Sequence, residues 1–205
     1  MKLIYGPGAC SLGIHVILEE IGEPFEAQAV STRDGSLHKP DFVAVNPKSK
    51  VPTLVRDDGS VLTEFPVIAY WLARSNPQAG LIPDDLEGQT RTLEMLDYLC
   101  GTVHPQGFTR QFRPTNFARD EDDHARVIAQ GKALVEKYLA VLEANWSGGE
   151  WLLPGGYSVA DAALFFIGHW CVRAGITPPP RVAAHYQAML ARPAVQRALK
   201  TENAA

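Results

Sequence analysis

A chain of 205 residues can bury one large core or two small ones, and its 46% hydrophobic and 20% charged residues exclude a disordered or coiled-coil protein. A formal net charge of -4 supplies no basic field for phosphate backbones, so nucleic acid is excluded as a partner and a small anionic ligand requires local positive charge. Cys10, Cys100 and Cys171 stand far apart without metal-ligand spacing, and no apolar run approaches the ~18 residues of a membrane span, which points to free thiols, no metal, no membrane and a cytoplasmic setting.

Met1 to Tyr5 reads as a short alternating strand rather than a signal peptide, and it stops at Gly6-Pro7-Gly8. Cys10 or Ser11 then opens a helical pattern of Leu12, His15, Val16, Leu18, Glu19 and Ile21, with Gly22 placed as a C-cap glycine. Residues 25–30 alternate as a second strand, so the chain opens as a right-handed βαβ unit. A weaker helix over 38–46 ends at Asn46-Pro47, and strands over 51–55 and 60–63 flank the Asp58-Gly59 turn as a hairpin. Pro66 is tolerated in the first turn of the next helix, whose buried face is Val67, Ile68, Tyr70, Trp71 and Leu72. This order is the thioredoxin-like layout.

Past Asn76-Pro77 only helical patterns remain, over 85–103, 122–146, 159–175 and 181–190, with a short one after Pro193. The expected fold class is α/β plus all-α: a thioredoxin-like βαβαββα domain over residues 1–78 and a helical-bundle domain over 84–205. Ser158 and Asp161 have capping-box spacing, a folding role rather than a catalytic one.

Two features carry chemistry on their own. A thiol at Cys10, at the N-terminal end of a helix, sits in a positive partial field that lowers its pKa. Pro52 after Val51 is either an edge-strand proline or a cis turn that frees the Val51 N–H and C=O for an extended peptide ligand.

The stretches KLIYGPGACSL (2–12), VNPKSKVP (45–52), DDGSVLTE (57–64) and GYSVAD (156–161) resemble the glutathione S-transferase superfamily, and within it the bacterial beta class. The resemblance implies an enzyme that takes glutathione as co-substrate, ionises its thiol and directs it at a small apolar electrophile. Cys10, Ser11 and His104 would then lie near the sulfur, with Tyr5 a weaker candidate, while Val51, Pro52, Glu64, Phe65 and Asp97 would hold the peptide.

The chain departs from its relatives at two places. Phe65 stands where a serine or glycine is common, so its ring either points away from the ligand or alters the pocket. His104 keeps a seven-residue spacing from Asp97, expected to put both on one helix face, but Pro105 follows in place of lysine. Phe108, Arg110, Phe112, Arg113 and Phe117 either line the second-substrate pocket or pack as ordinary surface. The resemblance also implies a homodimer. A glutathione-dependent thiol-disulfide or peroxide reductase working through Cys10, and a non-catalytic glutathione binder, are the alternatives.

Overall fold

The computed structural model describes residues 1–147 and 149–203. Strands β1 (Lys2–Tyr5), β2 (Glu26–Ala29), β3 (Thr53–Val55) and β4 (Val61–Thr63) form one mixed sheet in the order β2-β1-β3-β4. β1 runs parallel to β2 with Lys2 opposite Glu26, and antiparallel to β3 with Leu3 opposite Leu54. The parallel pair requires a crossover, which α1 (Ser11–Ile21) supplies. α1 ends as expected at Gly22, whose left-handed backbone lets its N–H reach the Leu18 carbonyl.

Although its sequence pattern is amphipathic, α1 is buried on every side from Ser11 to Leu18. The reason is its place in the fold, between the sheet and α3 (Phe65–Ser75) on one side and α7 (Val159–Ala174) and α9 (Pro193–Asn203) on the other. Gly13 makes that sandwich possible. A Cβ there would sit 2.6 Å from the Ala162 carbonyl oxygen and 2.7 Å from the Phe65 ring, so only glycine permits the approach of α1 to α7. α2 is shorter than expected (Pro40–Val45), because Pro40 lacks an N–H and fits only the first turn.

In the helical half, α4 (Leu86–Asp97) is capped by Asp85, whose carboxylate accepts the Gly88 N–H at 2.8 Å. The backbone does not stop at 103 as the pattern suggests. It continues as a wider-wound segment, Tyr98–Phe108, into α5 (Thr109–Phe112), and the Thr109 N–H reaches the His104 carbonyl five residues back. Pro105 lies inside this segment, where its missing N–H and its ring disfavour ordinary α winding. α6 (His124–Ala144) packs on the wide segment, and α8 (Pro180–Leu190) packs on α7.

α7 is the axis of this half, buried without interruption from Val159 to Gly168. The Ser158–Asp161 capping box at its start is fully formed. One continuous apolar core runs from Leu3 through Phe65, Phe108 and Phe166 to Ala198. Among the described residues, no helix is long and apolar enough to cross a membrane.

Candidate functional site

A cleft of about 1300 Å3 opens between the sheet half and the helical half. Cys10, Val51, Pro52, Glu64, Phe65, Asp97 and His104 all line it. Ser11 does not. Its hydroxyl is fully buried, accepts the Gly6 N–H at 3.1 Å and donates to the Gly6 carbonyl at 3.3 Å, so the expected contact with sulfur is corrected to a brace for the loop before α1. Tyr5 is likewise absent from the lining and packs in the core against the His15 ring at 5.2 Å.

The loop that carries Cys10 is clamped by the far end of the chain. Gly8, at φ 66°, presents its carbonyl to Trp170 Nε1 at 2.8 Å and to Arg173 Nη1 at 2.7 Å. Its N–H donates to Glu202 Oε2 at 2.8 Å, and the other oxygen of that buried carboxylate lies 3.2 Å from His15 Nδ1. Nothing in the sequence points to Glu202, and His15 reads there as an isolated member of an apolar face.

Cys10 sits at the end of this loop with Sγ 3.5 Å from the Val51 carbonyl oxygen. The expected lowering of its pKa is corrected: burial pushes the thiol up to about 12, against the hydrogen bonds of the Cys10 and Ser11 N–H groups, and Glu202 and Glu64 add to the rise. The helix field is present, but desolvation outweighs it. Cys10 in the free protein should therefore be alkylated by iodoacetamide at pH 7 at least ~100-fold more slowly than free cysteine, as measured by mass spectrometry; a rate near that of free cysteine contradicts this. The Val51–Pro52 peptide is cis, and the Val51 carbonyl faces the Cys10 thiol rather than standing free.

Glu64 caps α3 at φ 69°, and Lys48 Nζ lies 2.8 Å from its carboxylate and 2.8 Å from Thr63 Oγ1. This ion pair is exposed, so it contributes little stability and leaves the carboxylate available for exchange. Phe65 resolves the choice posed by its bulk. The ring turns inward against Phe166, at 5.3 Å between centroids, into the gap left by Gly13. Its backbone N–H opens α3, where no carbonyl of the same helix can accept it.

On the helical wall, Asp97 and His104 share the cleft even though the backbone widens between them. His104 stands edge-on to Trp170 at 4.7 Å, and burial, aided by Lys50, lowers its pKa to about 4, so the imidazole is neutral at pH 7. Cys100, one of the three free thiols and not among the expected site residues, also lines the cleft. Phe108, Phe112 and Arg113 line it too, whereas Arg110 and Phe117 are absent from the lining and stack on each other at 4.3 Å. Arg33, Lys48, Lys50, Arg113 and Arg173 oppose only Glu64 and Asp97, which is the local positive charge that an anionic ligand needs in an acidic chain.

Comparison with known proteins places this geometry. Residues 8–75 match the glutathione S-transferase N-terminal domain and residues 125–188 the C-terminal domain. Glutathione S-transferase GstA of Escherichia coli O157:H7 is 37% identical, with 98% of each chain covered. A sphingomonad glutathione S-transferase complexed with glutathione superposes with a TM-score of 0.86 at 36% identity over 100% of both chains. The bacterial beta class enzyme of Sphingomonas chungbukensis does so at 0.85 and 33% identity, again over 100% of both chains. With the two-part fold, the interdomain cleft and these full-length matches in agreement, the chain belongs to the glutathione S-transferase family.

Proposed function

We propose that the cleft binds glutathione, activates its thiol and transfers it to a small electrophile with an apolar body. The observation that carries this reading is the un-ionised Cys10 thiol on the cleft lining, beside the N-terminal end of α1 and the Val51 carbonyl. A group that stays protonated is a hydrogen-bond donor, so it can stabilise a neighbouring thiolate instead of competing as one. Glutathione's thiol, near pKa 9 like a free cysteine at about 8.5, needs such donors to ionise at neutral pH. The thiolate then forms a C–S bond with the electrophilic carbon while the leaving group departs with its electron pair.

The remaining residues take roles that fit their places. Val51 and Pro52 run beside the cysteinyl part of the peptide, and Glu64 and Asp97 receive its ammonium. The free Phe65 N–H at the start of α3 receives a carboxylate. Neutral His104 lies on the sulfur side as a ring N–H donor. Residues 1–78 form the glutathione-holding unit and 84–205 the unit facing the electrophile. Val67 on α3 and Leu86 and Leu93 on α4 are apolar and exposed, which supports a homodimer that covers these helices, and a cytoplasmic setting suits three free thiols.

A redox role for Cys10 requires its thiolate, and the raised pKa counts against that alternative. The inward ring of Phe65 removes the main reason to expect a dead site. Cys10→Ala should lower kcat/KM for conjugation by roughly 10–100-fold, as expected for loss of one donor to a developing anion. Unchanged conjugation in Cys10→Ala would overturn the role given to this thiol.

A further inference from the structure

The helical wall of the cleft combines aromatic rings with the guanidinium groups of Arg113 and Arg173. Phe108, Phe112 and Trp170 pack edge to face and stacked, with Trp170 5.4 Å from Phe108 and 5.6 Å from Phe112. The Arg173 guanidinium lies over Phe112 at 5.6 Å and gives one nitrogen to the Gly8 carbonyl. Arg113, next in sequence, gives Nη2 to the Thr32 carbonyl at 2.6 Å. A guanidinium has five N–H donors, so each keeps donors free after this anchoring.

Among the described residues, no carboxylate lies within ion-pairing distance of Arg113 or Arg173, and both line the cleft. An apolar electrophile alone leaves both cations on the cleft lining without a partner. Glutathione does not use up the positive charge either. The cleft carries five cations against two carboxylates, and bound glutathione thiolate brings a net of two negative charges, so one positive charge is left over.

Resting on the transferase reading, we propose that the second substrate is an aromatic electrophile bearing a carboxylate, its ring against Phe112, which the buried Phe108 and Trp170 back from the core, and its carboxylate held by Arg113 and Arg173. Anchoring on backbone carbonyls fixes the direction of each guanidinium, which suits fork-like recognition of a carboxylate better than a mobile lysine would. The reaction is aromatic substitution. The glutathione sulfur bonds to the ring carbon that carries a halogen, the halide leaves with the C–X electron pair, and the thiol proton goes to water.

The test compares 4-chloro-3,5-dinitrobenzoate with its methyl ester, each conjugated to glutathione by the full chain and each rate divided by its uncatalysed rate. The acid should be favoured by ~10-fold or more in kcat/KM, mainly through KM. Arg113→Gln and Arg173→Gln should each reduce the acid-to-ester ratio by about fivefold or more, and Arg113→Lys, which keeps the charge but loses the fork, should keep only part of it. An acid no better than the ester in the native protein overturns the proposal. So does a pair of glutamine variants that raise KM for glutathione while leaving the acid-to-ester ratio untouched, because the arginines then serve glutathione's own carboxylates. If neither compound is conjugated, the transferase reading itself fails and takes this inference with it.

Discussion

Asp161→Ala should lower the unfolding free energy by about 3–5 kcal/mol, the cost of removing one partner from a buried, hydrogen-bonded pair. The carboxylate is fully buried and serves four donors: the Ser158 N–H at 2.8 Å, the Ser158 hydroxyl at 3.3 Å, the Leu152 N–H at 2.8 Å and His185 Nε2 at 3.0 Å. Alanine strands all of them in a dry core, where each unsatisfied group costs about 1–3 kcal/mol before relaxation. His185 cannot compensate, since its Nδ1 already lacks a partner among the described residues. What the sequence presents as a helix cap thus also ties the segment before α7 to α8. At roughly 2–4 °C per kcal/mol for a chain of this size, the midpoint should fall by about 6–20 °C. Thermal unfolding followed by circular dichroism reads this directly, and a loss below about 1 kcal/mol would show that the cap alone was at stake.

The second large effect lies at the other end of the chain. Glu202→Ala should cost about 2–5 kcal/mol, because it leaves the Gly8 N–H and His15 Nδ1 without their shared acceptor beside a buried helix. It should also change chemistry at a distance. Burial is the main reason the Cys10 thiol stays protonated, but the Glu202 charge adds to it, so removing that charge lowers the Cys10 pKa and speeds its alkylation. Loosening the Gly8 loop should in addition raise KM for glutathione. Urea unfolding and iodoacetamide rates on the same variant separate the two consequences. Equal stability and equal alkylation in variant and parent would mean that the α9 terminus merely rests on the loop.

Much of this was legible in the sequence, where the determinant is local. The βαβ opening follows from an apolar run, a glycine turn and a helical period, and Gly22 and the Ser158–Asp161 box mark helix ends by their own backbone chemistry. Seven of the eight expected site residues line one cleft, five because they fall at strand ends and helix starts that the topology gathers, and Asp97 and His104 because they share the face of the helical segment that looks at it. Ser11 failed because neighbours in sequence need not face the same way, and its hydroxyl turns back to Gly6. The pKa of Cys10 failed for a related reason. The helix field is a sequence-local quantity, whereas burial is set by residues from the other half of the chain.

The rest needed tertiary structure. Glu202 reaches Gly8 across 194 positions, and Arg113 reaches Thr32 across 81, distances over which no periodicity speaks. The sequence leaves open whether the Phe65 ring points away from the ligand or alters the pocket, and the choice is made by Gly13 and Phe166, unremarkable in sequence, which make a place for the ring in the core. Cys100, three residues after Asp97 and four before His104, shares their face and so lines the cleft with them.

In the proposed complex, glutathione lies in this cleft with Glu64 at one end and Cys10 near the sulfur. Isothermal titration of the full chain with glutathione tests it most directly. Saturable binding at one site per chain, with Kd at or below about 1 mM and clearly weakened in Glu64→Ala, is the predicted result. Heats indistinguishable from dilution at millimolar glutathione would contradict it.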